Sequence, residues 1–185
     1  MPETVGDFVA RRLTEWRITR LYAYPGDGIA GITAGLRKAG DTPRFVQVRH
    51  EEMAAFMACA HAKFTGEVGV CLATSGPGAI HLLNGLYDAK MDHQPVVAIV
   101  GQAATTAIGS HYQQEVDLPS LFKDVASEYC VTVASPAAAQ HCLDRAMRVA
   151  MDQKTVTCVI FPKDVQEMAF EPPKQAHDHA YSGIA

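Results

Sequence analysis

Gly69-Val70-Cys71-Leu72-Ala73-Thr74-Ser75-Gly76-Pro77-Gly78-Ala79-Ile80-His81-Leu82-Leu83-Asn84-Gly85-Leu86-Tyr87 passes from an apolar run through a knot of small residues into a helical pattern. Val96-Val97-Ala98-Ile99-Val100 follows as a second unbroken apolar run. Apolar runs without alternation belong to strands covered on both faces, which is the signature of a parallel sheet. The reading is a strand over 68–73, a tight loop over 75–78, a helix over 80–87 with Leu83 inward, and a strand over 96–100. Two parallel strands joined through a helix form a right-handed crossover.

The same alternation extends in both directions. Upstream, Thr4 can cap a helix whose apolar positions Val5, Phe8, Val9, Leu13 and Trp16 share one face. A strand at 21–24, a break at Pro25-Gly26-Asp27-Gly28, and a helix marked by Ile29, Ile32 and Leu36 that stops at Gly40 come next. A strand at 45–48 leads into a helix from Glu51 to Phe64, with Gly66 just beyond. That helix carries Met53, Phe56, Met57, Ala60 and Phe64, more apolar surface than one core face needs. Downstream, 102–119 is a polar loop long enough to be a candidate site element. A helix at 120–126, a strand at 131–134, a helix at 137–152 and a strand at 156–161 complete the order. The expected fold is α/β, a three-layer αβα sandwich with a six-stranded parallel sheet and helices on both faces. One domain over 1–165 is expected, followed by a linker over 166–185 that contains Glu171-Pro172-Pro173 and lacks apolar periodicity.

Composition agrees with a single packed core. The chain has 185 residues, 48% hydrophobic and 19% charged, with a formal net charge of -4. No basic cluster invites a phosphate backbone, so nucleic acid is not an expected partner. No apolar run approaches the roughly 18 residues of a membrane span. Five cysteines, odd in number and without C-x-x-C spacing, read as buried reduced thiols. A reducing compartment such as the cytoplasm is expected.

In an open parallel sheet, ligands gather beyond the carboxyl ends of the strands, which directs attention to four loops: 25–28, 50–52, 74–78 and 101–117. The first fits G-x-G-x-x-G through Gly26, Gly28 and Gly31, with Glu51 about 20 residues further on, so by spacing it reads as a Rossmann-type dinucleotide site. The alternative is that these glycines serve a turn and helix packing. Gly26-Asp27-Gly28 also matches the opening of the G-D-G motif of thiamine diphosphate enzymes, but that motif needs a downstream Asn, and the only Asn is Asn84.

Three further stretches decide between these readings. Arg49-His50-Glu51-Glu52-Met53-Ala54-Ala55, the quoted 69–89 segment ending in Asp88-Ala89, and Asp92-His93-Gln94-Pro95 leading to Gln114-Glu115-Val116-Asp117 together resemble the N-terminal, pyrimidine-binding domain of thiamine diphosphate enzymes. Pyruvate oxidases and acetolactate synthases are the nearest group, and the resemblance covers nearly the whole domain. It implies that Glu51 hydrogen-bonds N1′ of the cofactor's aminopyrimidine. Proton sharing there favours the imino tautomer, whose 4′-nitrogen removes the thiazolium C2 proton, so the cofactor serves as its own base. Glu52 fits better as an ordinary helix N-terminal acid.

The resemblance further implies that Pro25, Gly26, Thr74, Ser75, Pro77 and Gly78 lie against the cofactor. Gln114, or Gln113 in a second register, matches a glutamine over the thiazolium. Asp27 matches a proton-transfer aspartate of decarboxylase-like members, where oxidases and synthases often carry Gly. His111 lies near a decarboxylase His pair of which one member is present. His81 and Asn84, at i and i+3 on the helix after the small-residue loop, read equally as core polar residues or site groups. No spacing in the chain resembles a metal site. Thiamine diphosphate and Mg²⁺ are the implied cofactors of the complete enzyme, with the Mg²⁺ ligands in another domain and FAD left open. The implied partners are a small 2-oxo acid and the diphosphate-binding domain of a second subunit in a homodimer or homotetramer. The small subunit of a two-chain 2-oxo acid decarboxylase is an alternative reading of the same resemblance.

Overall fold

The computed structural model describes residues 2–173. The Thr4 hydroxyl accepts the Asp7 N–H and the Asp7 carboxylate accepts the Thr4 N–H, both at 3.1 Å, and this reciprocal cap starts α1 (Val5–Glu15). Then follow β1 (Arg20–Ala23), one 3₁₀ turn at Asp27–Ile29, α2 (Ala30–Lys38), β2 (Arg44–Gln47), α3 (Glu51–Thr65) and β3 (Gly69–Ala73). The chain continues through α4 (Pro77–His81), α5 (Leu83–Met91), β4 (Val96–Gln102), α6 (Leu118–Phe122) and β5 (Cys130–Thr132). It closes with α7 (Ala139–Gln153), β6 (Val156–Pro162) and α8 (Lys163–Glu167). Every strand pairing is parallel, in the order β2-β1-β3-β4-β6-β5, which is the expected class of sheet.

Alternate residues of the central strands supply two cores. Leu21, Leu72, Ile99, Val159 and Phe161 pack with Phe8, Leu13, Ile32, Leu143 and Met147 from α1, α2 and α7. Tyr22, Cys71, Ala98, Cys158 and Ile160 pack with Ala54, Ala58, Leu82, Leu86 and Phe122 from α3, α5, α6 and the α4–α5 junction. The topology reverses direction at β1 and β3, neighbours in the sheet whose chains leave toward opposite edges. The loops following them therefore flank a crevice at the carboxyl end of the sheet.

Several elements depart from expectation for local reasons. The helix expected over 80–87 begins at Pro77, because Gly76 at φ 64 makes the turn and proline suits a helix's first turn. It divides at Leu82 into α4 and α5, and Leu82 and Leu86 are the fully buried residues, with Leu83 only partly so. The helix expected over 120–126 starts at Leu118 because Asp117 caps it, accepting the Ser120 N–H at 3.2 Å. It ends at Phe122, although Val125 and Ala126 stay buried. α8 was not expected at all. Its Gln166, fully buried, donates to the Gly28 and Phe161 carbonyls at 2.8 and 2.9 Å and accepts the Ile32 N–H at 3.3 Å.

Beyond α8, Ala169 bridges to Thr4 and Phe170 stacks on Phe8 with ring centroids 4.0 Å apart. The domain's packing thus runs past residue 165, through the first residues of the span expected as linker. Residues 174–185 lie outside the described residues. All five cysteines are free. No described helix is long and apolar enough to cross a membrane.

Candidate functional site

The crevice is assembled from the exits of β1, β2 and β3. Glu51 is the first residue of α3, just beyond β2, and is only 8% exposed. His50 precedes it as the N-cap, its ring accepting the Glu52 N–H at 3.3 Å. Glu51 Oε2 lies 3.0 Å from Nδ1 of His81, the last residue of α4, and the His50 and His81 rings lie 4.3 Å apart. Oε1 accepts no hydrogen bond among the described residues. The one fully buried side-chain oxygen or nitrogen without a hydrogen bond among the described residues is Asp7 Oδ1, so Glu51 Oε1 remains open to the outside.

Small residues make room beside that oxygen. A Cβ on Gly78 would sit 3.2 Å from Glu51 Oε1 and 2.7 Å from Thr74 Cγ2. A Cβ on Gly26 would strike Thr74 Cβ at 2.4 Å, so the turn after β1 lies directly on the loop after β3. The Gly28 N–H closes the contact by donating to Thr74 Oγ1 at 2.9 Å.

On the Gly28 side of this contact is a cavity of about 560 Å³ lined by Asp27, Gly28, Ser75, Gln102, Gln114 and Lys163, among others. Gln113 also lines it, whereas His111 and Glu51 do not. Gln114 is held at φ 65, and its carbonyl and side chain press on Gly76. Neighbouring Glu115 organises the loop by accepting the Gly109 and Tyr112 N–H groups at 2.6 and 3.0 Å, and these donors hold its carboxyl below the usual range. His111 is exposed, at φ 55. Asp27 is paired with Lys163 Nζ through both oxygens at 2.8 Å. Pro25 lines a different depression with Thr33, Leu36 and Phe45, away from Glu51.

Of the expected residues, Glu51, Gly26, Thr74 and Gly78 thus form one contact chain, and Asp27, Ser75, Gln113 and Gln114 line the adjoining cavity. Pro77 is exposed at the start of α4. Lys163, Gln102 and Gln166 were missed, as was the pairing of His81 with Glu51. A polar residue closing an apolar strand, as Gln102 does, or a charged one directly after it, as Lys163 is, was the available signal. The dinucleotide reading of Gly26, Gly28 and Gly31 fails on packing. A Cβ on Gly101 would strike the Gly28 carbonyl at 2.1 Å, one on Gly31 would meet Gln166 Cβ at 2.6 Å, and the Gly28 N–H is already spent on Thr74. The Gly28 amide, which a pyrophosphate on this loop would need, is therefore not available.

The crevice is thus the switch point of a parallel sheet and carries a half-open, buried carboxylate. Residues 3–121 match the family model described as "Thiamine pyrophosphate enzyme, N-terminal TPP binding domain", and the chain belongs to that family. It is 41% identical over 160 residues to a pyruvate oxidase of Lactiplantibacillus plantarum, covering 86% of this chain and 26% of the relative. It is 35% identical over 178 residues to an acetolactate synthase of Mycobacterium avium, covering 94% and 28% respectively. Identity is also 35% over 160 residues to the large subunit of acetolactate synthase isozyme 2 of Escherichia coli (strain K12), covering 86% and 29%. The chain therefore spans 26–29% of the length of these relatives.

Proposed function

We propose that this domain supplies the activating carboxylate, Glu51, to thiamine diphosphate in an enzyme that decarboxylates a 2-oxo acid such as pyruvate and then oxidises or carboligates the product. The observation that carries the reading is Glu51 itself: buried at the crevice, one oxygen tied to His81 and the other open beside Gly78. These residues fit an aminopyrimidine, whose flat ring needs a carboxylate at one edge and side-chain-free backbone along its face. When bound, the cofactor supplies an acidic thiazolium carbon and an amino group able to move its proton.

Glu51 would share a proton with N1′, and the small residues Gly26, Thr74 and Gly78 would exclude water around it. The His81 contact holds the carboxylate in place by fixing Oε2. Gln114, with Gln113 beside it, would face the substrate from the cavity, and Asp27 would serve proton transfer once released from Lys163. His111 would reach the site only by loop movement. The diphosphate and Mg²⁺ would be held by another domain, contributed by a second subunit of a homodimer or homotetramer. This assignment is supported by the G-D-G opening that lacks its downstream Asn. Exposed Met53, Met57, Tyr87 and Met91 on α3 and α5 support a partner on that side. A reducing, cytoplasmic setting accords with five free thiols. FAD binding is not assigned to these residues.

In the complete protein, Glu51→Gln should lower pyruvate turnover at least about a hundredfold while weakening thiamine diphosphate binding much less. Turnover within a few-fold of the parent would contradict the assignment.

A further inference from the structure

His50, Glu51 and His81 bring two imidazoles and a carboxylate together with one ligand atom from each within 4.8 Å of the others, the one such grouping of three or more among the described residues. We propose that this triad is a binding site for a borderline transition cation of the Zn²⁺ class, distinct from any Mg²⁺ held with a diphosphate. Two neutral imidazoles and one carboxylate are the donor set such ions prefer, and three protein ligands leave a coordination position open. Mg²⁺, which wants oxygen ligands in an octahedron, is poorly served by the same atoms.

The present hydrogen bonds show how the site would load. His81 Nδ1 and Glu51 Oε2, 3.0 Å apart, are bridged by a proton. A cation between them takes that proton's place, and the proton moves to Nε2 of the same ring, so no further acid or base is needed. His50 must turn slightly to close the set. Its Nδ1 lies 3.3 Å from the Glu52 N–H and 4.0 Å from Glu52 Oε2. With the ion on Nε2, the ring proton moves from Nε2 to Nδ1, which gives up the Glu52 N–H and turns to the Glu52 carboxylate, the outer-shell contact that orients a metal-bound imidazole. Asn84 already holds that carboxylate from the far side, donating to Glu52 Oε1 at 2.7 Å. Both rings are exposed enough to move, while Glu51 is fixed in the fold. Because the ion uses the carboxylate assigned to the aminopyrimidine, metal and cofactor would exclude each other there.

The test is calorimetric titration of the 185-residue chain with Zn²⁺ alone, in the absence of thiamine diphosphate, so that its outcome is separate from that of the cofactor reading. His50→Asn keeps a capping side chain but removes the ring, and His81→Gln removes the second ligand, with folding checked by circular dichroism. Each should weaken Zn²⁺ at least about tenfold, Glu52→Gln should weaken it less, and Mg²⁺ should bind at least a hundredfold more weakly than Zn²⁺. Co²⁺ should give visible bands without the thiolate charge-transfer absorption that binding at a cysteine would produce. Unchanged Zn²⁺ affinity in His50→Asn, which tests the site even if His81→Gln fails to fold, would overturn the proposal, as would a thiolate signature.

Discussion

The two faces of the sheet are built from different materials. Against α1, α2 and α7 the core includes large side chains, Phe8, Trp16, Leu36 and Met147, and its two buried charges, Arg12 and Asp144, answer each other. Asp144 accepts Arg12 Nε and Nη2 and Trp16 Nε1, each at 2.8 Å. Against α3 and α5 the core is made of alanines, Ala54, Ala55, Ala58, Ala62 and Ala89, and the large residues Met53, Met57, Tyr87 and Met91 face outward. The first face is finished within this chain. The second brings α5 onto α3 at Gly85, places Glu51 at the start of α3, and leaves apolar surface exposed. On the assignment of Glu51 proposed above, the second face is also the one that carries the site.

The sharpest way to break that contrast is at Asp144. Asp144→Ala leaves the buried Arg12 with Glu15 alone, whose Oε2 accepts Nη1 at 2.6 Å, and the indole N–H unanswered, which should cost about 3 kcal/mol. Chemical denaturation would show it, and a loss under 1 kcal/mol would mean the network is not what seals that face. On the second face the limit is distance. A Cβ on Gly85 would lie 2.5 Å from Phe56 N and 2.6 Å from Ala55 Cβ, so Gly85→Ala should push α5 off α3 at a cost of about 1–3 kcal/mol. A neutral result would show that the two helices have slack.

A smaller effect lies at the α1 cap. Burial pushes the Asp7 carboxyl up, but the Thr4 N–H and Lys38 outweigh it, leaving the folded value below the ordinary one. A lowered folded pKa gives stability that is present above about pH 4 and lost as pH falls through the folded value. Asp7→Asn should therefore cost about 1 kcal/mol near neutrality and progressively less in acid, measurable as denaturation midpoints at several pH values. A cost independent of pH would assign the effect to the hydrogen bonds alone. Smallest of all, Met53→Ser with Met57→Ser should change stability by no more than about 0.5 kcal/mol. The same change should weaken self-association in sedimentation experiments. Unaltered association would place the partner elsewhere.

How much of this was legible in the sequence divides along the same line. The sheet was readable because its central strands are buried on both sides, so runs such as Val96–Val100 carry no polar interruption. The α1 boundary was readable because Thr4 and Asp7 are local to each other. α8 was not, since five residues from Lys163 to Glu167 give too short a window for periodicity, and Gln166 is buried by contacts to Gly28 and Ile32, far away in sequence. α3 was legible in part: its surplus of apolar residues was readable, and Met53, Met57 and Phe64 do face outward, but that its alanines are the inward residues depends on how closely α5 approaches. At the site, Glu51 was legible through the Arg49-His50-Glu51 stretch. Its pairing with His81, 30 residues later, depended on how the loop after β3 folds back, which no spacing records. Lys163 joined Asp27 only because the turn after β1 crosses β3 to the ends of β4 and β6, where α8 begins.

The central claim, that Glu51 and not its neighbour activates the cofactor, is tested most directly by the rate of hydrogen–deuterium exchange at thiamine diphosphate C2, followed by NMR after acid quench in the complete protein. Glu51→Gln should slow exchange by at least two orders of magnitude, and Glu52→Gln should leave it within a few-fold of the parent. Near-parental exchange in Glu51→Gln, or an equal loss in both variants, would contradict the account.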